Sequence, residues 1–143
     1  MNIVDRSLPF VARFCLILLF PFSALDKIVD YGNAVAQADA SGMPIPGWLL
    51  LLLGGSLEVF GSLGILLNLY ARPLALLFCF YCITTAVLFH NFWIYPFGGA
   101  DWQANFWPFL KNFGLVGGFL FVAANARMEP LSRAFSLAPR PRS

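Results

Sequence analysis

The chain has 143 residues, 59% of them hydrophobic and only 11% charged, with a mean hydropathy of +0.75 and a formal net charge of +2. Soluble domains carry about 25% charged residues, so there is too little polar surface here to coat a soluble globule, and disorder needs the opposite bias. So small a net charge gives no footing for nucleic acid; what remains is a single compact domain in a lipid bilayer.

The first apolar stretch covers about residues 8–28. Arg6 and Arg13 ahead of an apolar run imitate a secretory signal. Asp5 sits in the basic region, however, and no small-x-small cleavage site follows, so the segment reads as a retained helix, with a cleaved signal as the alternative. Pro21 removes a backbone hydrogen bond and predicts a kink. Arg13 and Lys27 lie about four helical turns apart and share a face with Ile17, Phe20 and Ala24. Residues 30–47 form the longest loop, with a short surface helix near 32–39 and turn signals at Gly42, Pro44, Pro46 and Gly47.

The second span, about residues 48–69, is long enough to cross a hydrocarbon core of roughly 30 Å. It carries one carboxylate, Glu58, near its middle. An ionised carboxylate there costs on the order of 3 kcal/mol even on lenient insertion scales, so it needs a partner, a wet cavity or a proton. Gly54, Glu58, Gly61, Ile65 and Asn68 follow steps of four and three and line one face. The small residues on it let another helix approach Glu58.

A tight turn at 68–72 leads to the third span, about residues 73–93, with Pro73 at a first helical position. The face carrying His90 also carries Ala86, Ile83, Cys79, Leu76 and Arg72. Cys79-Phe80-Tyr81-Cys82 is a C-x-x-C, but it lies two turns inside an apolar helix, whereas redox pairs sit at helix N-termini. Plain packing is the expected role; contact of Cys79 with Cys15 is the alternative. The three cysteines all lie in apolar stretches, which is no disulfide framework. One histidine without a nearby carboxylate makes no metal site.

The next loop holds Pro96, Gly98 and Gly99 as breakers and Trp93, Tyr95, Trp102 and Trp107 as interfacial aromatics. The fourth span covers about residues 106–124, with Lys111, Gly114, Gly118 and Asn125 on one face. The tail, residues 127–143, is basic and proline-rich. Arg6, Arg13, Arg72, Arg127, Arg133, Arg140 and Arg142 fall on one side of such a four-span chain, and Lys27 and Lys111 on the other. The excess predicts cytoplasmic N- and C-termini.

In this arrangement Glu58 lies roughly 15 Å below the outer end of its helix. Lys27, His90 and Lys111 stand nearer that end, with Gln103 and Asn105 above them. Together they predict an outward-opening polar pocket between the helices, with Glu58, His90, Lys111, Lys27 and Gln103 as ligand or proton-relay groups. The bland alternative pairs Glu58 with Arg13 or Lys111 purely for neutralisation, with Arg13 and Arg72 as structural charges and Lys27 snorkelling to the interface.

The order of motifs carries a resemblance. A first helix closing in Lys27 is followed by a segment ending in GMPIPG, then LEVFGSLGILLNLYARPLALLFCFYCITTAVLFHNFW and NFWPFLKNFGLVGGFLFVA. Over nearly the whole chain this resembles the DoxX family of four-helix bacterial inner-membrane proteins. The resemblance implies an all-α fold: a four-transmembrane-helix bundle over residues 1–126, with a short extracytoplasmic segment between helices 1 and 2 and a cytoplasmic tail. Some such proteins are membrane subunits of thiosulfate:quinone oxidoreductases; others belong to thiol or oxidative-stress systems. The positions it carries over are Lys27, Glu58, Arg72, His90 and Lys111. The function expected is a membrane component of a quinone-linked redox system, with no covalently bound cofactor, a quinone as ligand, a redox partner to supply electrons, and homo-oligomerisation in the bilayer. A small-molecule or proton permease and a non-catalytic assembly protein are the rival readings.

Overall fold

The computed structural model describes residues 3–126, with side chains from Ser7 onward. The predicted basic tail, with Arg127, Arg133, Arg140 and Arg142, and the side chain of Arg6 lie outside the described residues. Among those residues all regular structure is helical: α1 (Ile3–Ile17), α2 (Leu19–Val29), α3 (Tyr31–Ala40), α4 (Gly47–Ser56), α5 (Ser62–Leu66), α6 (Ala71–Phe89) and α7 (Ala100–Asn125). A π-helical turn, Leu57–Gly61, joins α4 to α5, and a 3-10 turn, Phe92–Ile94, follows α6. Four segments are long and apolar enough to cross a membrane: Ser7–Val29, Gly47–Leu66, Ala71–Ile94 and Ala100–Asn125.

The first span breaks at Leu18, one turn ahead of Pro21. Pro21 has no N–H to offer the carbonyl of Ile17, and the helical ladder lapses just there. The face shared by Ile17, Phe20 and Ala24 is buried, as its spacing predicts. The loop helix α3 forms, and its end is tied to the second span by the Gly47 N–H donating to Asp39 Oδ1 at 2.6 Å.

The second span is not a continuous α-helix. Its π-turn inserts an extra residue where Glu58 sits, so Ser62 joins Glu58, Gly61 and Ile65 on the buried side. Gly61 is needed there, because a Cβ at that position would stand 2.9 Å from the Phe78 ring. Asn68 and Tyr70 take positive φ (59° and 50°) in the turn to α6. Pro73 falls within the first turn of α6 rather than at its first residue, where its missing N–H leaves no bond unmade.

The core is aromatic. Phe78 stacks on Phe119 with ring centroids 4.8 Å apart, and Phe20 tilts against Phe78 at 4.6 Å. Cys79 and Cys82 pack into this core as free thiols, while Cys15 is exposed, so the cysteines bear out plain packing and not a Cys15–Cys79 contact. Around the core, large apolar side chains such as Phe22, Phe60, Phe80 and Phe121 point outward, as they do where acyl chains replace water.

α7 begins at Ala100, six residues earlier than the apolar pattern alone suggests. Gly98, with φ +77°, is the last positive-φ position before the helix, and Asp101 in the first turn suits the helix N-terminus. The inward side of α7 carries Val116, Phe119 and Ala123. Its predicted stripe of Lys111, Gly114 and Asn125 is exposed instead, because the larger apolar side chains take the core.

Candidate functional site

Glu58 is fully buried in the described residues, with a side-chain exposure of 2%, and its partner is Lys27. The Lys27 ammonium donates to Glu58 Oε1 at 2.7 Å and to Oε2 at 2.8 Å. Charge-assisted bonds this short are the strong ones. Two hydroxyls complete the cluster. Tyr81 donates to Glu58 Oε1 at 2.7 Å. Ser23 donates to the same oxygen at 3.0 Å while accepting from Lys27 at 2.8 Å.

Local structure explains each placement. Ser23 and Lys27 are one turn apart on α2, so hydroxyl and ammonium project side by side. The π-turn swings Glu58 inward toward α2 and α6. Tyr81 lies on the flank of the buried stripe of α6, close enough to Gly54 that a Cβ there would stand 3.4 Å from its ring.

The cluster forms part of the wall of an open cavity of about 650 Å³ that all four spans and α3 line. That volume is typical of a small-molecule site. Lys27 lines the cavity and retains 29% side-chain exposure, although its protons are engaged. At the mouth stand Asp26, Asp30 and His90; deeper lie Thr85 and Asn112; Leu19, Phe20 and Leu115 make the apolar end.

The structure therefore brings together Lys27, Glu58 and His90 of the residues singled out in the sequence. It leaves Lys111 and Gln103 outside the cavity lining. Lys111 is exposed on α7. Gln103 donates to the Gly98 carbonyl at 3.1 Å and closes the α6–α7 connection. Arg13 does not pair with Glu58; it donates to the carbonyls of Pro9 and Ile65 at 3.2 and 3.4 Å. Arg72 is exposed at the far end of α6. His90 is the C-cap of α6, with φ −127° and ψ 47°; of the face predicted to share its side, Ala86 and Cys79 are buried while Ile83, Leu76 and Arg72 are exposed.

Ser23, Tyr81, Thr85 and Asn112 are the site residues that the sequence reading missed. The i, i+4 step from Ser23 to Lys27 was a usable signal. Tyr81 carries a signal too, as a hydroxyl inside an apolar helix, within the C-x-x-C spacing of Cys79 and Cys82.

A family model, DoxX, matches residues 8–91. That stretch holds Ser23, Lys27, Glu58, Tyr81 and His90 and stops before α7. The inner membrane protein YphA of Escherichia coli (strain K12) is 32% identical over 113 residues, 79% of this chain and 79% of that protein. No solved structure matches the chain.

Proposed function

The chain belongs to the DoxX family, and from that premise we propose that it is a bacterial inner-membrane protein whose cavity binds a quinone for a quinone-linked redox system. The observation that supports this reading is the Lys27–Glu58–Tyr81 cluster on the wall of a cavity of about 650 Å³. A quinone presents two carbonyl oxygens on an apolar ring. Lys27 is the ammonium that donates to one of them, exchanging its bond to Ser23 for the ring oxygen. Tyr81, with Glu58 behind it, is the group that passes a proton to or from the ring oxygen. Converting quinone to quinol takes up two electrons and two protons; the electrons come from a partner protein carrying a flavin or a dithiol.

The test is equilibrium binding of a short-chain quinone to the protein in nanodiscs. Binding in the micromolar range that falls at least tenfold in Lys27→Met supports the proposal, and no binding to the wild-type chain overturns it. A second reading, a proton-coupled permease, is favoured by the π-turn at Glu58, since such turns are frequent at functional sites. Uptake of a solute into proteoliposomes under a proton gradient distinguishes it.

The proposed orientation puts both termini in the cytoplasm. Arg13 and Arg72 then lie toward the inner side, and the cavity mouth with His90 opens outward. Alkaline phosphatase fused after α7 is expected to be inactive, and activity there reverses the assignment.

A further inference from the structure

The cavity is closed unevenly. Near the middle of the spans, the first and fourth are in tight contact: a Cβ on Gly118 would lie 2.7 Å from Leu16 Cδ1. Above that level the helix breaks at Leu18, ahead of Pro21, and α2 departs on its own course. It packs on α3, α4 and the π-turn, and no contact of comparable extent joins it to α7. The first and fourth spans thus meet at Leu16 and Gly118 and again where the Phe20 ring of α2 meets Phe119 of α7, centroids 5.6 Å apart, and the seam between α2 and α7 parts only beyond that ring contact.

Leu19, the first residue after the break, lines the cavity and is at the same time 57% exposed. Across the seam, Leu115 also lines the cavity, one turn before Phe119 in the core. Leu19 and Leu115 both lie near the middle of their spans, the depth of acyl chains and not of headgroups. Lys111, one turn above Leu115 on α7, is exposed.

We propose that the cavity opens sideways into the bilayer between α2 and α7, and that its ligand is a membrane-dissolved amphiphile. The polar ring lies against Lys27 and Tyr81, and an aliphatic tail passes out between Leu19 and Leu115. This deepens the quinone reading and rests on it for the ring. The tail is argued independently, from the continuity of the polar cavity with an apolar gap at lipid depth. A water-soluble ligand has no use for such a gap, whereas a tailed one is delivered through it at the concentration it reaches in the membrane.

The test uses the full chain in liposomes with Cys15→Ala, which leaves only the buried Cys79 and Cys82 and should take up no label by itself. A nitroxide is attached at Leu115→Cys, with Phe121→Cys as a lipid-facing reference. Collision with molecular oxygen comparable to the reference, and weak collision with a water-soluble nickel chelate, is the expected result. Strong collision with the chelate alone, or with neither, overturns the opening. In a second arm, Leu19→Trp is expected to weaken binding of a quinone with a polyisoprenoid tail at least fivefold while a tail-less quinone stays within twofold. Equal weakening of both overturns the tail assignment. If both quinones bind and Leu115 meets only water, the opening fails and the quinone reading stands. If Leu115 meets lipid and neither quinone binds, the quinone reading fails and with it the ring assignment.

Discussion

The ion pair between Lys27 and Glu58 makes the sharpest prediction, because its structural and functional roles separate in a double-mutant cycle. Lys27→Met leaves a carboxylate with 2% side-chain exposure and only Ser23 and Tyr81 as donors. Removing one partner of a buried pair destabilises by about 3–5 kcal/mol. Lys27 itself is 29% exposed on its side chain, so we place this variant near the lower end, at about 3 kcal/mol, a factor of roughly a hundred in the folded-to-unfolded ratio. Glu58→Gln leaves an ammonium that can turn toward the cavity, and is expected to cost about 2 kcal/mol. The double variant removes both charges and keeps an amide for Ser23 and Tyr81. It should lose no more than the worse single variant, a coupling of about 2 kcal/mol. Titration with SDS in mixed micelles, followed by far-ultraviolet circular dichroism, measures all four corners. Additive losses, or single variants within about 0.5 kcal/mol of wild type, refute a coupled buried pair. The same four proteins test the site: if the double variant regains stability and also binds quinone like wild type, the pair serves the fold alone.

Three further outcomes follow from the geometry. Tyr81→Phe removes one donor from Glu58 Oε1; it should cost about 1.5 kcal/mol in the same titration and weaken short-chain quinone binding several-fold, and unchanged binding would take Tyr81 out of the site. Gly61→Ala puts a methyl 2.9 Å from the Phe78 ring and should destabilise by about 1–3 kcal/mol through overpacking, whereas Gly114→Ala, with open space around it, should stay near wild type in thermal unfolding. Lys111→Ala should leave binding of a tail-less quinone within twofold by equilibrium titration, since its side chain does not line the cavity.

Much of the architecture was legible because it rests on patterns that a bilayer makes unambiguous. Four apolar runs of spanning length, separated by Gly- and Pro-rich connections, have few other solutions. The face of Ile17, Phe20 and Ala24 emerged from helical steps, and so did the cluster of Gly61, Ile65 and Glu58. Two boundaries did not. The π-turn at Leu57–Gly61 leaves no mark in hydropathy, because the extra residue changes which side chains face inward without changing their character. α7 starts at Ala100 because, after Gly98, nothing in ADWQAN prevents a helix; the polarity of that segment marks a helix emerging from the membrane as readily as a loop, and hydropathy does not separate the two.

The identity of the cation beside Glu58 depended on something harder to read: the rotation of each helix about its axis. Depth follows from counting residues, and by depth Arg13 and Lys111 were the candidates for the pair, with Lys27 read as a group nearer the interface. Rotation follows from which side buries more apolar surface. On α7, Val116, Phe119 and Ala123 lie on the inward side, and because 3.6 residues make a turn, placing Phe119 on Phe78 turns Lys111 toward the flank. On α2 the opposite holds. Phe20 must reach Phe78 and Phe119, and Ala24, one turn on, is buried as well. Ser23 and Lys27 are the next residues along that same side, so the packing of one aromatic ring delivers both groups to Glu58. A lysine at a helix end reads as a surface anchor only so long as its neighbours one and two turns away are exposed. Here they are core, and the charge goes where they go.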